Sequence, residues 1–459
     1  MMRRMPLHRR TVLGAGLAAA AATLTGCREA VRSATAGASA GPVASASASA
    51  SAAPSRSAAR VAAVPEATGP TAEALHGGAQ AAGRLRFTLN RHLAPTSANP
   101  KHPAYTGAVA LCQMAGATVA KAVVGKAVRY AAGPVLLPGP EQVWMRYDSI
   151  FDLASITKVY TAILTLQQVD KGRIDLSTRV ADHLPGFTGA GKEKVTVAML
   201  LAHTSGLPVG AKVTGLPDDA ARRKAVLATS LVSGAVPGTV YRYSSVGLMV
   251  LAFLVEKLTG QRFDQALKTG LTGPLGLRDT GFNPKTWLST ADQAARLVAT
   301  DARSTRGLLR GVVHDDVANH MGGVAGHAGI FSTAAEVAVI GQLLLGGGVH
   351  NGTRILSEEI TRQMLANVNT GLPAVDPERP HRTSAHGLGV VLDQPWFMGR
   401  LSGPRTFGHT GFTGTSLVVD PDRRMVLVLL TNRAHPNWSW ANPDPVRVDV
   451  AEVVATIPR

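Results

Sequence analysis

Cysteine is nearly absent. The 459 residues hold two, Cys27 and Cys112, too few for a disulfide-built scaffold. Aromatic residues make up 5% of the chain and nowhere interleave with a run of Lys and Arg, so nucleic acid is not an expected partner. No apolar run reaches the roughly 20 residues that cross a bilayer. Acidic residues are also scarce, 30 against 47 basic ones, which leaves a net charge of +17. No internal repeat is visible, no recognised zinc spacing occurs, and lone Met and Trp residues point to no cofactor.

What is present begins with a leader. "MMRRMPLHRRTVLGAGLAAAAATLTGC" has a basic start and an apolar stretch of about fourteen residues ending at Cys27. That length fits an export signal, and Arg9-Arg10 before Thr11-Val12-Leu13 fit a twin-arginine type. Leu24-Thr-Gly-Cys27 resembles the bacterial lipobox, so residues 1–27 are expected to be a lipoprotein signal with Cys27 lipidated. Cys112 then has no partner, and its apolar surroundings mark it as a small buried hydrophobe. The reading implies an exported, extracytoplasmic protein held at the membrane by a lipid anchor. The basic surface outside it suits anionic headgroups or cell-wall polymer, or serves solubility alone.

Residues 28–83 are rich in Ala, Ser, Gly and Pro, as in "GPVASASASASAAPS". So few large apolar groups cannot offset chain entropy, and a disordered tether is expected there. Residues 84–459 form the globular part. "YTGAVALCQMAGATVAKAVVG" (105–125) predicts two strands around a Gly turn, and "TGTSLVVDPDRRMVLVLLTNR" predicts a hairpin turning at Asp420-Pro-Asp-Arg. Between the two, the pattern is mainly helical, with "VGLMVLAFLVEKLTG" stopping at Gly260. Strands at both ends with helices between predict an α/β (α+β) fold, an antiparallel sheet flanked by helices with a helical subdomain inserted at roughly 170–345.

The chemistry centres on "FDLASITKVYTA" (151–162). Residues three apart on a helix share a face, so the Lys158 amine can reach the Ser155 hydroxyl. A serine needs a base to become a nucleophile, and an amine held among apolar groups loses its proton more readily. Alone, the pair also fits an N-cap serine beside a snorkelling lysine. Three further segments add weight. Tyr243 and Ser245 stand just ahead of a helix, and a phenol near a cation ionises more readily and can relay a proton. His409, Thr410 and Gly411 stand at the start of a strand, Gly411 allowing close approach of substrate to backbone. His203 in "LAHTSGLP" reads as structural.

Together, Ser-x-x-Lys, Tyr-x-Ser and His-Thr-Gly resemble the serine β-lactamase and penicillin-binding-protein superfamily. The closer likeness is to the branch of class C β-lactamases, D-Ala-D-Ala carboxypeptidases and related esterases and amidases, over about residues 104–435. The resemblance implies Ser155 as acylated nucleophile, Lys158 as its activator and Tyr243 as general base and acid. It implies that Ser245 bridges Lys158 and substrate, and that His409 and Thr410 line the substrate's carboxylate side. The oxyanion would sit on the N–H groups of Ser155 and Phe412, the latter on the far strand. Ser245 replaces the usual Asn, which weakens amide recognition. His409 replaces the usual Lys, which argues against efficient penicillin hydrolysis. "VHDDVANHMGGVAGHAG" (313–329) reads as a cleft-lining loop rather than a metal site of His314, Asp315, Asp316, His320 and His327. Its Gly-rich half resembles a subgroup that includes muropeptide amidases, and His327 either touches substrate or is structural. The expected activity is hydrolysis of cell-wall-derived peptide, or a related ester or amide, without cofactor. A β-lactamase, a carboxylesterase, or a sensor that acylates without turnover are the alternatives.

Overall fold

A computed structural model describes residues 69–376 and 379–459. The signal segment, Cys27 and the tether as far as residue 68 lie outside the described residues. The expected tether end at Gly83 is corrected: helix α1 spans Ala72–Arg91, capped by the Thr71 hydroxyl, which accepts from the Ala74 N–H. Its small residues are what let it pack. A Cβ on Gly78 would meet the Val119 carbonyl at 2.5 Å, so the helix lies close against the strand beneath it. Small side chains bury little apolar area each, but here they permit close approach of helix to strand.

Seven strands form the main sheet of the described residues, all neighbours antiparallel. Its N-terminal strands are β1 (Gly107–Met114), β2 (Ala117–Val128) and β3 (Val143–Trp144). Its C-terminal strands are β4 (Val391–Leu392), β5 (Phe407–Thr410), β6 (Ser416–Asp420) and β7 (Met425–Thr431). The order is β4-β5-β6-β7-β1-β2-β3, so the two chain ends meet at the β7–β1 pair. Ala108 lies opposite Thr431 and Met114 opposite Met425. The β6–β7 hairpin turns through Pro421–Arg423, where the Asp420 carboxylate caps the N–H groups of Asp422 and Arg423.

Side chains alternate across the sheet and divide the core in two. Val109, Leu111, Val426, Val428 and Leu430 face one cluster, while Ala108, Ala110, Cys112, Leu427 and Leu429 face the other. The second is covered by α1 and the C-terminal helix Asp444–Val454. Cys112 is fully buried there, and burial pushes its thiol up to about 12, which leaves it inert. The first cluster is shared with many of the elements inserted between β3 and β4. It includes α2 (Thr157–Asp170), α3 (Ser245–Thr259) and α4 (Ala334–Leu345). The inserted helices and the sheet face therefore have one continuous core. α3 stops at Gly260, which takes the left-handed φ of 69° that glycine tolerates without strain.

Candidate active site

The nucleophile candidate sits on a strained turn. The short strand Phe151–Asp152 pairs with Ile330–Ser332, and the chain then enters a 3-10 turn at Ala154–Ile156 before α2. Ala154 has φ +47°, unfavourable for a residue with a Cβ. The buried Asp152 carboxylate holds it there, accepting from the N–H of Ala154 (2.9 Å) and, on its other oxygen, from that of His314 (2.7 Å). Burial raises the Asp152 carboxyl, and these two N–H groups oppose the rise.

Ser155, Lys158 and Tyr243 converge on one oxygen. Lys158, one helical turn along α2, places Nζ 2.9 Å from Ser155 Oγ. Tyr243 donates its hydroxyl to the same Oγ at 2.8 Å. Lys158 is 1% exposed, and burial lowers its amine to about 7, against a smaller upward pull from Asp315. An amine lowered this far gives up its proton far more readily near neutral pH than an exposed lysine, as a base requires. Tyr243 goes the other way. Burial pushes its phenol up to about 12, so the nearby cation does not make it a ready base, and it stays a proton donor.

His203 positions this phenol through both its ends. Its carbonyl accepts from the Arg242 N–H at 2.8 Å, and its Nδ1 accepts from the Ser244 N–H at 3.1 Å. Its ring lies 4.7 Å from that of Tyr243. The residue is structural, but what it builds is the site.

Three expectations change. Ser245 opens α3 and does not bond Lys158; it lies beside the Tyr243 phenol. The second bond of Lys158 goes to the carbonyl of His327, at 2.9 Å. His409 and Thr410 end β5 rather than start a strand, and Gly411 and Phe412 lie in the turn beyond it. His409 is buried and its Nδ1–H donates to the Thr410 carbonyl at 2.8 Å. Burial, reinforced by Lys158, holds it well below the ordinary histidine range, so it is neutral. Gly411 is needed for packing: a Cβ there would meet Thr415 Oγ1 at 2.1 Å and the Leu153 carbonyl at 2.3 Å.

The turn 411–415 is thereby clamped to the nucleophile turn. Thr413 donates to the carbonyl of Asp152 (2.8 Å) and Thr415 to that of Leu153 (3.0 Å). The buried Arg447 guanidinium donates to the carbonyls of Gly411 (2.8 Å) and Thr415 (3.0 Å). Sequence reasoning missed Asp152, Thr413, Thr415 and Arg447; only the recurring threonines of "TGFTGT" hinted at them. Among the described residues no cluster of His, Cys, Asp or Glu has the arrangement of a metal site. His327 instead bonds Asp315, and Asp316 pairs with Arg306.

Comparison with known proteins follows the same lines. The pattern of the family described as Beta-lactamase matches residues 104–452, most of the chain. The chain belongs to the beta-lactamase family. Members of this family with related folds are hydrolases, and this chain is a serine hydrolase of that kind. It is 32% identical, over 68% of its length and 74% of the relative's, to a protein of Escherichia coli (strain K12) provisionally named a D-alanyl-D-alanine carboxypeptidase. It is also 32% identical to the N-acetylmuramyl-L-alanine amidase of Bacillus subtilis (strain 168), over 72% of its own length and 78% of that enzyme's. Among solved structures, a penicillin-binding protein homolog from Caulobacter crescentus superposes with a TM-score of 0.58 at 19% identity. That likeness covers 82% of this chain and 98% of the other and concerns the fold alone. The β-lactamase-like architecture expected from the sequence is the one found.

Proposed function

We propose that the protein hydrolyses an amide or ester of a cell-wall-derived peptide through an acyl-enzyme on Ser155. The observation that carries this is the single Ser155 oxygen bonded by both the Lys158 amine and the Tyr243 phenol. In the neutral form, Lys158 takes the hydroxyl proton as Oγ attacks the carbonyl carbon. The negative oxygen that develops is received by the N–H groups of Ser155 and Phe412, on turns held 411–415 to 152–154. Tyr243, still protonated at neutral pH, gives its proton to the departing atom and recovers one from Lys158. Water then attacks the ester of Ser155 by the same proton path in reverse.

The names of the two curated relatives support a peptidoglycan-derived substrate, and the neutrality of His409 narrows it. The third motif offers hydrogen bonds but no fixed cation, so it anchors a substrate carboxylate poorly. Amides and esters without a carboxylate at that position are favoured over penicillins. The proposal extends to place: Cys27 carries lipid, and the segment after it holds the domain outside the cytoplasmic membrane, where such substrates occur. The test is a panel of nitrocefin, p-nitrophenyl acetate, a D-Ala-D-Ala peptide and a muropeptide, with Ser155→Ala as control. Turnover of the muropeptide above nitrocefin and above the D-Ala-D-Ala peptide, both of which carry that carboxylate, supports the reading. A stable acyl-enzyme with no turnover of any substrate supports a sensor and overturns it.

A further inference from the structure

The Gly-rich loop left open by the sequence reaches Lys158 through its backbone. The carbonyl of His327 accepts the Lys158 ammonium, while the buried His327 imidazole donates Nε2–H to Asp315 Oδ1 at 2.9 Å. The same Asp315 oxygen accepts the Ala318 N–H at 2.9 Å and caps the short helix Asp316–His320. One carboxylate thus pins both ends of the 315–327 loop, whose far end holds the amine.

The Asp315 charge acts on the Lys158 amine, and His327, His203 and His409 feel the charge of Lys158; the Arg382 guanidinium acts on Tyr243, His203 and His409 beside it. The Tyr243 ring lies 5.0 Å from Nζ, and Asp152 lies behind the Ser155 turn with both oxygens engaged by N–H groups. Burial lowers all three imidazoles and keeps the phenol protonated. His327 and Lys158 hold the Asp315 carboxyl well below the usual carboxylate range despite its burial. Asp315 is therefore the carboxylate whose charge acts on Lys158.

We propose that Asp315 and His327 are positioning residues for Lys158: their bond fixes the carbonyl that holds the amine, and the Asp315 carboxylate is its counter-ion. The inference rests on Lys158 being the base for Ser155. Burial alone would drive the proton off Lys158 at lower pH, and the carboxylate holds it on until near neutrality. Removing the charge should therefore move activity toward acid rather than merely reduce it.

The test is kcat/KM for p-nitrophenyl acetate from about pH 5 to about pH 9, spanning the ordinary histidine and lowered lysine range. The wild type should lose activity below about 7, where Lys158 becomes protonated. Asp315→Asn should shift that acid limb downward by roughly one pH unit. Asn is an equally good helix cap, so the local fold should survive. Asp315→Glu and His327→Gln, which keep the charge and the donor, should leave the limb in place. A limb unmoved in Asp315→Asn, with only the plateau lowered, would make the pair merely structural and overturn the inference. A limb displaced in Asp315→Glu would do the same. A wild-type profile without any limb near 7 would instead overturn Lys158 as base, and this inference with it.

Discussion

Two lysines are buried among the described residues, and they have different surroundings. Lys192 is fully buried in the turn Lys192–Lys194, in sequence between the Ser155–Lys158 and Tyr243–Ser245 motifs. Its amine donates to the carbonyls of Leu227 and Thr229 and lies 4.1 Å from the centre of the Phe187 ring. Burial lowers it to about 8, close to the value of about 7 at Lys158. A depressed amine is therefore not enough to make a base. Lys192 faces carbonyls and a ring, which have no proton to give. Lys158 faces the Ser155 hydroxyl, on a turn clamped against the 411–415 turn, and the proposed reaction has the first give up a proton and the second receive the resulting charge.

The largest effect expected from this contrast is at the hydroxyl itself. Ser155→Ala should remove labelling by a fluorophosphonate and lower ester hydrolysis on the order of 10⁴-fold or more. Full activity in that variant would end the assignment. Lys158→Met should lower kcat/KM about as far, because members of a unit fail together, whereas Lys192→Met should leave it unchanged. Tyr243→Phe keeps the ring and removes the proton donor, so kcat should fall roughly 10²- to 10⁴-fold with the melting temperature little changed.

Smaller effects test the scaffold. Gly411→Ala forces a Cβ against Thr415 Oγ1 and the Leu153 carbonyl. It should cost about 1–3 kcal/mol in denaturant unfolding and lower activity by disturbing the turn that carries Phe412. Lys192→Met should cost about 1–3 kcal/mol of stability through its orphaned carbonyls, and nothing in kcat/KM. If Lys192→Met impairs catalysis as Lys158→Met does, the two regions are not distinct in the way described.

The parts of this arrangement legible in the sequence were those written locally. Ser155 and Lys158 share a helix turn, the strands are apolar runs bounded by turn residues, and Gly260 and Asp420-Pro-Asp-Arg mark ends and turns. What escaped depends on partners distant in the chain. Arg447 acts on the carbonyl of Gly411, and Asp152 receives Thr413 through its own carbonyl. Neither contact leaves a pattern of side-chain types. His327 was visible as a motif, but its tie to Lys158 is a backbone oxygen, which any residue would supply. The helix at Ala72–Arg91 was hidden by composition, since alanine and glycine read alike in a tether and in a close-packed helix. The direction of the Tyr243 shift followed from burial, which composition around a single phenol does not reveal.

The most direct measurement is peptide mapping by mass spectrometry after brief reaction with a fluorophosphonate at neutral pH. The adduct should fall on Ser155 alone, at full occupancy in the wild type and strongly reduced in Lys158→Met. An adduct on Ser205, Ser244 or Ser245, or equal labelling of Ser155 without Lys158, would contradict the account.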